Sequence, residues 1–145
     1  MAAAGLTHGG FYKHFESKDQ LVLELFEGSL EQTLATMREK PLKAIATRYL
    51  AKDHRDTFVV TCPYASMGSE LRHADKITRE AYSKGVSRFI DVIAESITDV
   101  PARERRAKAQ AVVSSLVGAL LLSRLVDDPK LSDDILKNTR KFISE

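Results

Sequence analysis

Residues 2–18 read AAAGLTHGGFYKHFESK. The three alanines suit the end of a helix, and Gly5 supplies the left-handed residue that commonly follows a helix C-terminus. Thr7 is a good N-cap for a short second helix, which we expect to end at Phe15. Phe11 lies four residues before Phe15, so both side chains share the buried face of that helix. A helix, a glycine turn and a capped short helix form a helix-turn-helix, whose second helix enters the major groove of DNA.

The same residues allow a second interpretation. An aromatic-rich segment at the start of a chain is also typical of a short packing helix with no partner outside the protein. The other face of the short helix carries His8, Gly9, Tyr12, Lys13 and His14, which suits either solvent or DNA. The residues alone leave both interpretations open.

Composition favours a soluble globular protein. Of the 145 residues, 43% are hydrophobic and 29% are charged, and the formal net charge is +2. This charge permits contact with nucleic acid without arguing for it. The single cysteine excludes an intramolecular disulfide and fits a reducing compartment. We find no signal peptide, and the most apolar segment, residues 109–126, contains too many polar side chains for a bilayer-spanning helix. We therefore expect a cytoplasmic protein.

The remaining sequence predicts an all-α fold. Ser17 and Gln20 have the spacing of a capping box, and the helix that follows is expected to end near Pro41. Pro41, Asp75 and Pro101 suit the starts of three further helices, and Ser132 is expected to cap the last one. Residues 53–63 are the least regular part, interpreted as an ordered loop or a short helix end. The apolar stripes of the two long amphipathic helices are predicted to include Val22, Leu21, Leu25, Phe26, Leu30, Leu34, Met37, Ile77, Tyr82, Val86, Phe89, Ile90, Ile93 and Ile97.

The helix that begins at Pro101 is apolar nearly all round in its second half. Such a helix must be covered on more than one side, and in so short a chain this predicts a partner subunit. We expect a homodimer built from this helix and the last one, with a two-fold four-helix interface. The predicted interface residues are Val113, Val117, Leu120, Leu121, Arg124, Ile135, Leu136, Thr139 and Phe142.

The segment AGLTHGGFYKHFESK, residues 4–18, resembles the turn, recognition helix and following helix start of TetR/AcrR-family regulators. Looser similarity extends to residues 61–71 and 117–129. The resemblance implies a helix-turn-helix remnant at residues 1–16 and a ligand-binding and dimerisation bundle at residues 17–145. It further implies that Tyr12 and Lys18 contact phosphates of double-stranded DNA. The implied DNA-binding residues are Thr7, His8, Gly9, Gly10, Tyr12, Lys13, His14 and Lys18.

The resemblance also predicts a departure from the family. Family members carry a further helix before this segment, which packs on the recognition helix. We therefore expect the 145 residues alone to bind DNA weakly or not at all, because several phosphate contacts are lost. One interpretation is a repressor released by a small inducer. The alternative is a dimeric ligand-binding or interaction module that has lost DNA binding.

A ligand pocket between the helices of the bundle is a further implication, for a small apolar or aromatic molecule. Taken singly, each candidate residue is better explained as part of the core, whereas the group taken together favours a pocket. The candidates are Met37, Tyr49, Cys62, Tyr64, Met67, Tyr82 and Phe89.

Other chemistries find little support in the sequence. Cys62 precedes Pro63 and a predicted helix, which would suit a redox-sensing thiol, but a lone buried cysteine is usually inert. The four histidines show no zinc-ligand spacing, and no nucleophile elbow or phosphate-binding glycine loop is present. We predict no enzymatic activity, no metal and no cofactor.

Overall fold

The computed structural model describes residues 8–57 and 61–145, without the side chains of His8, Phe11 and Tyr12. These residues form helices and contain no β-strand, which confirms the predicted all-α class. The helices are α1 (His8–His14), α2 (Lys18–Ala35), α3 (Leu42–Tyr49), α4 (Lys52–Asp56), α5 (Pro63–Leu71), α6 (Lys76–Ser96), α7 (Ala102–Leu125) and α8 (Pro129–Ser144).

Two helix starts follow the predicted capping chemistry. The Ser17 hydroxyl accepts the Gln20 backbone N–H at 3.1 Å, and the Gln20 side chain reaches back to accept the Glu16 N–H at 2.6 Å. At the start of α6, the Asp75 carboxylate accepts the Thr78 N–H at 2.7 Å. Each cap satisfies a backbone donor that the helix itself leaves unpaired.

The predicted end of α2 near Pro41 is wrong, because the helix ends at Ala35. The chain then turns tightly, and Glu39 adopts a left-handed backbone with φ 60°. This conformation stops the helix before Pro41, which takes an extended backbone and acts as the N-cap of α3.

The predicted cap at Ser132 is also wrong, since α8 begins three residues earlier. Asp128 is its N-cap and accepts the Lys130 N–H at 2.9 Å. Ser132 instead lies inside α8, buried, where its hydroxyl donates to the Ser123 carbonyl at 2.6 Å. The serine therefore joins α8 to α7 rather than starting a helix.

Three predicted members of the apolar stripes, Leu25, Ile77 and Val86, are solvent-exposed. Leu25 on α2 is 53% exposed and Ile77 on α6 is 75% exposed. The covered faces are narrower than predicted, since α2 packs mainly against α6 and less closely against α5. Most other members of both stripes, including Phe26 and Phe89, are buried.

Helix α7 is the centre of the bundle, because it packs against both α6 and α8 and also contacts α3, α4 and α5. By length and composition alone it could cross a membrane. Its buried residues Ala109, Leu116 and Leu120 lie in the same core as residues of the surrounding helices. This burial is typical of the central helix of a helical bundle.

An aromatic junction holds α2, α5 and α6 together. The Phe26 ring lies edge-on to the rings of Tyr64 and Tyr82, with centroids 5.2 and 4.6 Å away. The Tyr64 hydroxyl donates to the Tyr82 carbonyl at 2.8 Å. A Cβ atom on Gly85 would lie 2.6 Å from the Tyr64 hydroxyl oxygen and 2.8 Å from Leu30 Cδ2. Glycine is therefore what lets α6 approach this closely.

We expect Gly85→Ala to lower the free energy of unfolding by about 1–3 kcal/mol, because the added methyl overpacks the junction. Gly28→Ala is the matched control, since Gly28 lies inside α2 and a Cβ there meets nothing within 4 Å. The control should stabilise the protein by about 0.5–1 kcal/mol through helix propensity. Urea unfolding followed by circular dichroism measures both, and equal effects of the two substitutions would contradict the close approach at Gly85.

Candidate functional site

The N-terminal helix presents a lysine and a histidine to solvent. Helix α1 ends at His14, one residue earlier than predicted, and Phe15 is half-buried. Lys13 and His14 are exposed in its last turn, and Gly9 is exposed with open space where a side chain would stand. The helix can therefore approach another surface closely at Gly9 while placing positive charge beside it.

The structure places part of the predicted DNA-binding set. Thr7 lies outside the described residues, and the side chains of His8 and Tyr12 are not described. Gly10 lies on α1 with the neighbouring candidates, and Lys18 is the first residue of α2. The Lys18 ammonium lies 3.6 Å from a Glu70 carboxylate oxygen, with both side chains largely exposed. Such an exposed pair is weak and leaves Lys18 accessible to an anion.

A cavity of about 440 Å³ lies between the C-terminal end of α2, helix α3 and helix α4. Met37 and Tyr49, two of the predicted ligand-binding residues, line it. Its other lining residues, not singled out from the sequence, are Gln32, Thr33, Thr36, Ile45, Arg48, Ala51, Asp53, His54, Thr57 and Thr61.

The other predicted ligand-binding residues lie elsewhere. Tyr64 and Tyr82 belong to the aromatic junction, and Met67 lies on α5 against the core. Cys62 and Phe89 are fully buried core residues. The structure thus brings only two of the seven candidates into the walls of this cavity.

His54 joins the cavity wall to the start of α5. Its Nδ1 lies 2.7 Å from the Tyr49 carbonyl oxygen, which only accepts, so Nδ1 carries the proton. Its Nε2 accepts the Cys62 backbone N–H at 3.2 Å, with the Thr61 hydroxyl at 3.3 Å. The ring is therefore neutral. Burial lowers the pKa of His54, and the charges of Arg124 and Arg48 lower it further against the opposing hydrogen bond to Tyr49.

Arg124 reaches from α7 to the C-terminal end of α4. Its guanidinium donates to the carbonyls of His54 at 2.7 Å and Arg55 at 3.0 Å. It also donates to the Thr61 hydroxyl at 2.7 Å. A cation at a helix C-terminus satisfies carbonyls that have no partner within the helix. Arg124, predicted at a dimer interface, is thus committed to contacts within its own chain, and the interface itself stays a prediction.

Ion pairs hold α4 to α8. Arg55 Nη1 lies 2.8 Å from Asp133 Oδ1, and it also donates to the Ser132 hydroxyl at 2.9 Å. Lys52 Nζ lies 2.6 Å from the other oxygen of Asp133. Since α4 contains no buried residue, these polar contacts and Arg124 are what fix its position.

Cys62 lies in an unreactive setting. The thiol is fully buried, and burial raises its pKa despite its position just before α5. The thiolate is the reactive form, so a raised pKa suppresses its chemistry. The Tyr49 hydroxyl lies beside it and has no well-formed hydrogen bond. These features favour the structural interpretation of Cys62 over the sensor.

Apolar side chains remain exposed along α7 and α8. Leu122, Leu125, Leu131 and Phe142 are 52%, 69%, 47% and 75% exposed. A groove of about 610 Å³ runs between the two helices, bordered by Gly118, Ile135 and Thr139 among others. Of the predicted interface residues, Val113, Leu120 and Leu136 lie in the core, Leu121 and Phe142 are exposed, and Val117, Ile135 and Thr139 are half-buried.

Helix α1 is the candidate recognition helix of the predicted helix-turn-helix, whose first helix and turn, residues 2–7, lie outside the described residues. The family model for bacterial regulatory proteins, tetR family, matches residues 1–25 of the 145. The match covers α1 and the first part of α2, and it confirms the predicted resemblance of this segment to the TetR family. The segment is therefore that of a family of DNA-binding transcriptional regulators. No curated protein matches the chain.

We expect the free energy of unfolding to fall with pH below about 6.5, the ordinary pKa of histidine, because the folded state holds His54 neutral. A pKa lowered by folding means that the unfolded state binds the proton more readily, so the stabilisation is complete above this range and is lost as pH falls through the lowered pKa. His54→Gln should reduce that slope. His73→Gln, an exposed control in the turn after α5, should keep it. Urea titrations between pH 7.5 and pH 5 at about half-unit steps measure the slopes, and an unchanged slope in His54→Gln would count against the buried neutral ring.

Proposed function

We propose that the chain acts as a DNA-binding transcriptional regulator, a repressor released by a small molecule, and works as a homodimer in the cytoplasm. The observation that carries this proposal is the tetR-family match over residues 1–25, together with the exposed lysine and histidine of α1 inside it. In this assignment residues 1–16 belong to the DNA-binding domain and residues 17–145 form the regulatory bundle. The proposed role is non-catalytic.

The proposed DNA contacts divide by chemistry. Lys13 is exposed in the last turn of α1 and is suited to a guanine edge in the major groove. Tyr12 and Lys18 are assigned to phosphates, as the family resemblance implies. Lys18 also lies at the N-terminal end of α2, where unpaired backbone N–H groups attract anions. Phosphate contacts position the protein, and base contacts give it specificity.

Dimerisation through α7 and α8 is supported by the exposed apolar side chains there. Phe142, Leu125 and Leu122 are each more than half exposed, and they are large hydrophobic residues on adjacent helices. A contiguous apolar surface of this kind commonly marks a protein interface. A second copy packing α7 and α8 against the same helices would form a closed two-fold contact.

The proposed mechanism links the cavity to the DNA-contacting helix through α2. The C-terminal end of α2 contributes Gln32, Thr33 and Thr36 to the cavity wall, while its N-terminal end begins four residues after α1 ends. A ligand that binds more tightly when α2 is in one of two orientations increases the population of that orientation. In a dimer this would change the separation of the two recognition helices and their fit to half-sites about one DNA turn apart.

We expect the chain to bind duplex DNA at low salt and Lys13→Ala to weaken that binding. If Lys13 contacts a base, its loss costs about 1–3 kcal/mol of binding free energy. If it contacts a phosphate, its loss reduces the slope of log affinity against log salt concentration by about 1. Lys137→Ala on α8, an exposed lysine outside the match, is the control and should behave like the wild type. Fluorescence anisotropy with a labelled duplex over a range of salt concentrations measures both quantities. Equal loss in both variants would contradict the contact by Lys13, and absence of binding at the lowest salt would favour the alternative, a module that has lost DNA binding, over the regulator.

Phe142→Glu should convert a dimer into a monomer, because it buries a charge at the proposed interface. Ile77→Glu is the matched control, since Ile77 on α6 has the same 75% exposure but lies outside the α7–α8 groove. Light scattering at micromolar concentration reads the mass of each. A monomeric wild type, or dissociation by Ile77→Glu alone, would refute this arrangement.

A further inference from the structure

Two cations at the cavity between α2, α3 and α4 form no ion pair in the described part of the chain. Arg48 lines it, is exposed, and forms no ion pair or side-chain hydrogen bond in the described part of the chain. Arg124 lies behind the wall, and its hydrogen bonds go to carbonyl and hydroxyl oxygens of residues 54–66. A guanidinium bonded only to neutral oxygens keeps its full positive charge.

One carboxylate also borders the cavity, that of Asp53. It forms no ion pair with Arg48 among the residues that the structure describes. Burial lowers the pKa of His54 most, and the positive charges of Arg124 and Arg48 both lower it further. Arg48 and Arg124 therefore contribute positive potential at the His54 end of the cavity.

The rest of the wall supplies an apolar surface with a few hydrogen-bonding groups. Met37, Ile45 and the Tyr49 ring are its buried apolar part. The Tyr49 hydroxyl is buried without a well-formed hydrogen bond, and the Thr57 hydroxyl has none. The Tyr49 hydroxyl lies beside the buried Cys62, so the hydroxyl available to an oxygen of a bound molecule is that of Thr57. A cavity of about 440 Å³ falls within the range of small-molecule sites.

We propose that this cavity selects a small aromatic or apolar molecule that carries a carboxylate, with Arg48 binding the anionic group. The proposal rests on the function proposed above and narrows the class of its ligand. The apolar part of the molecule lies against Met37 and Ile45, and the carboxylate lies toward Arg48 and the His54 end. Arginine binds a carboxylate through two parallel hydrogen bonds, which gives direction as well as affinity.

The test compares 2-naphthoate with its neutral counterpart 2-naphthamide, using NMR of ¹³C-methyl-labelled methionine. Met37 lines the cavity, whereas Met67 on α5 does not, so the two methyl signals separate binding in the cavity from binding elsewhere. We expect 2-naphthoate to shift the Met37 signal and to bind about tenfold more tightly than 2-naphthamide, the usual gain from a charged hydrogen bond.

Arg48→Gln should weaken 2-naphthoate about tenfold and leave 2-naphthamide unchanged. Lys43→Gln is the control, because Lys43 is an exposed cation on the same helix that does not line the cavity. It should leave both affinities unchanged. Preserved Met37 and Met67 shifts in the free variants confirm that they fold.

Three outcomes overturn the proposal in distinguishable ways. Equal affinities for the two compounds, with Met37 shifted by both, refute the anionic ligand and leave the proposed regulator in place. An equal loss in Arg48→Gln and Lys43→Gln refutes the direct contact by Arg48. Absence of a Met37 shift with either compound refutes the inference and also counts against a small-molecule cavity at this place in the bundle.

Discussion

The hydrogen bonds of Arg124 are the constraint on which the position of α4 and the walls of the adjoining cavity depend. Helix α4 has five residues and buries none of them, so the hydrophobic effect does not hold it in place. The Arg124 guanidinium closes its C-terminal end, and Asp133 ties its exposed side to α8. These contacts hold α4 in place as one wall of the cavity beside α3.

Two sets of contacts determine the position of α2, one directly and one through α5. The aromatic contacts of Phe26 with Tyr64 and Tyr82 fix the middle of the helix against α5 and α6. The polar network of His54 fixes the start of α5, from which Tyr64 projects. Helix α5 thus connects the cavity wall at His54 to the aromatic junction of Phe26, Tyr64 and Tyr82. A movement of α5 that disturbs the aromatic contacts would therefore also strain the hydrogen bond between His54 and the Cys62 backbone N–H.

The sequence predicted the elements whose causes are local. Ser17 and Asp75 cap helices because a side-chain oxygen three residues before a backbone N–H does so in most contexts. The stripe containing Phe26 and Phe89 follows from helical spacing alone. The prediction that Ser132 caps α8 was wrong because its hydroxyl donates to the carbonyl of Ser123, nine residues away on another helix.

The candidate site was less predictable for the same reason. Met37 and Tyr49 were found from their apolar or aromatic character, and both line the cavity. His54 had no sequence signal, since its partners are a backbone carbonyl and a backbone N–H. Arg124 likewise bonds to carbonyls of α4, which every sequence contains, so only the fold reveals them. Exposure of Ile77 depended on how far the neighbouring helices extend.

The burial of Cys62 makes its thiol a probe of local opening in the protein. The thiol is fully covered, and its backbone N–H is held by His54. A thiol reagent can reach it only when the start of α5 separates from the core, and the chain has no other cysteine to obscure the signal. The rate of labelling under native conditions is therefore a readout of how often this segment opens. A molecule that fills the neighbouring cavity and steadies α4 would slow that rate without any change in the average structure.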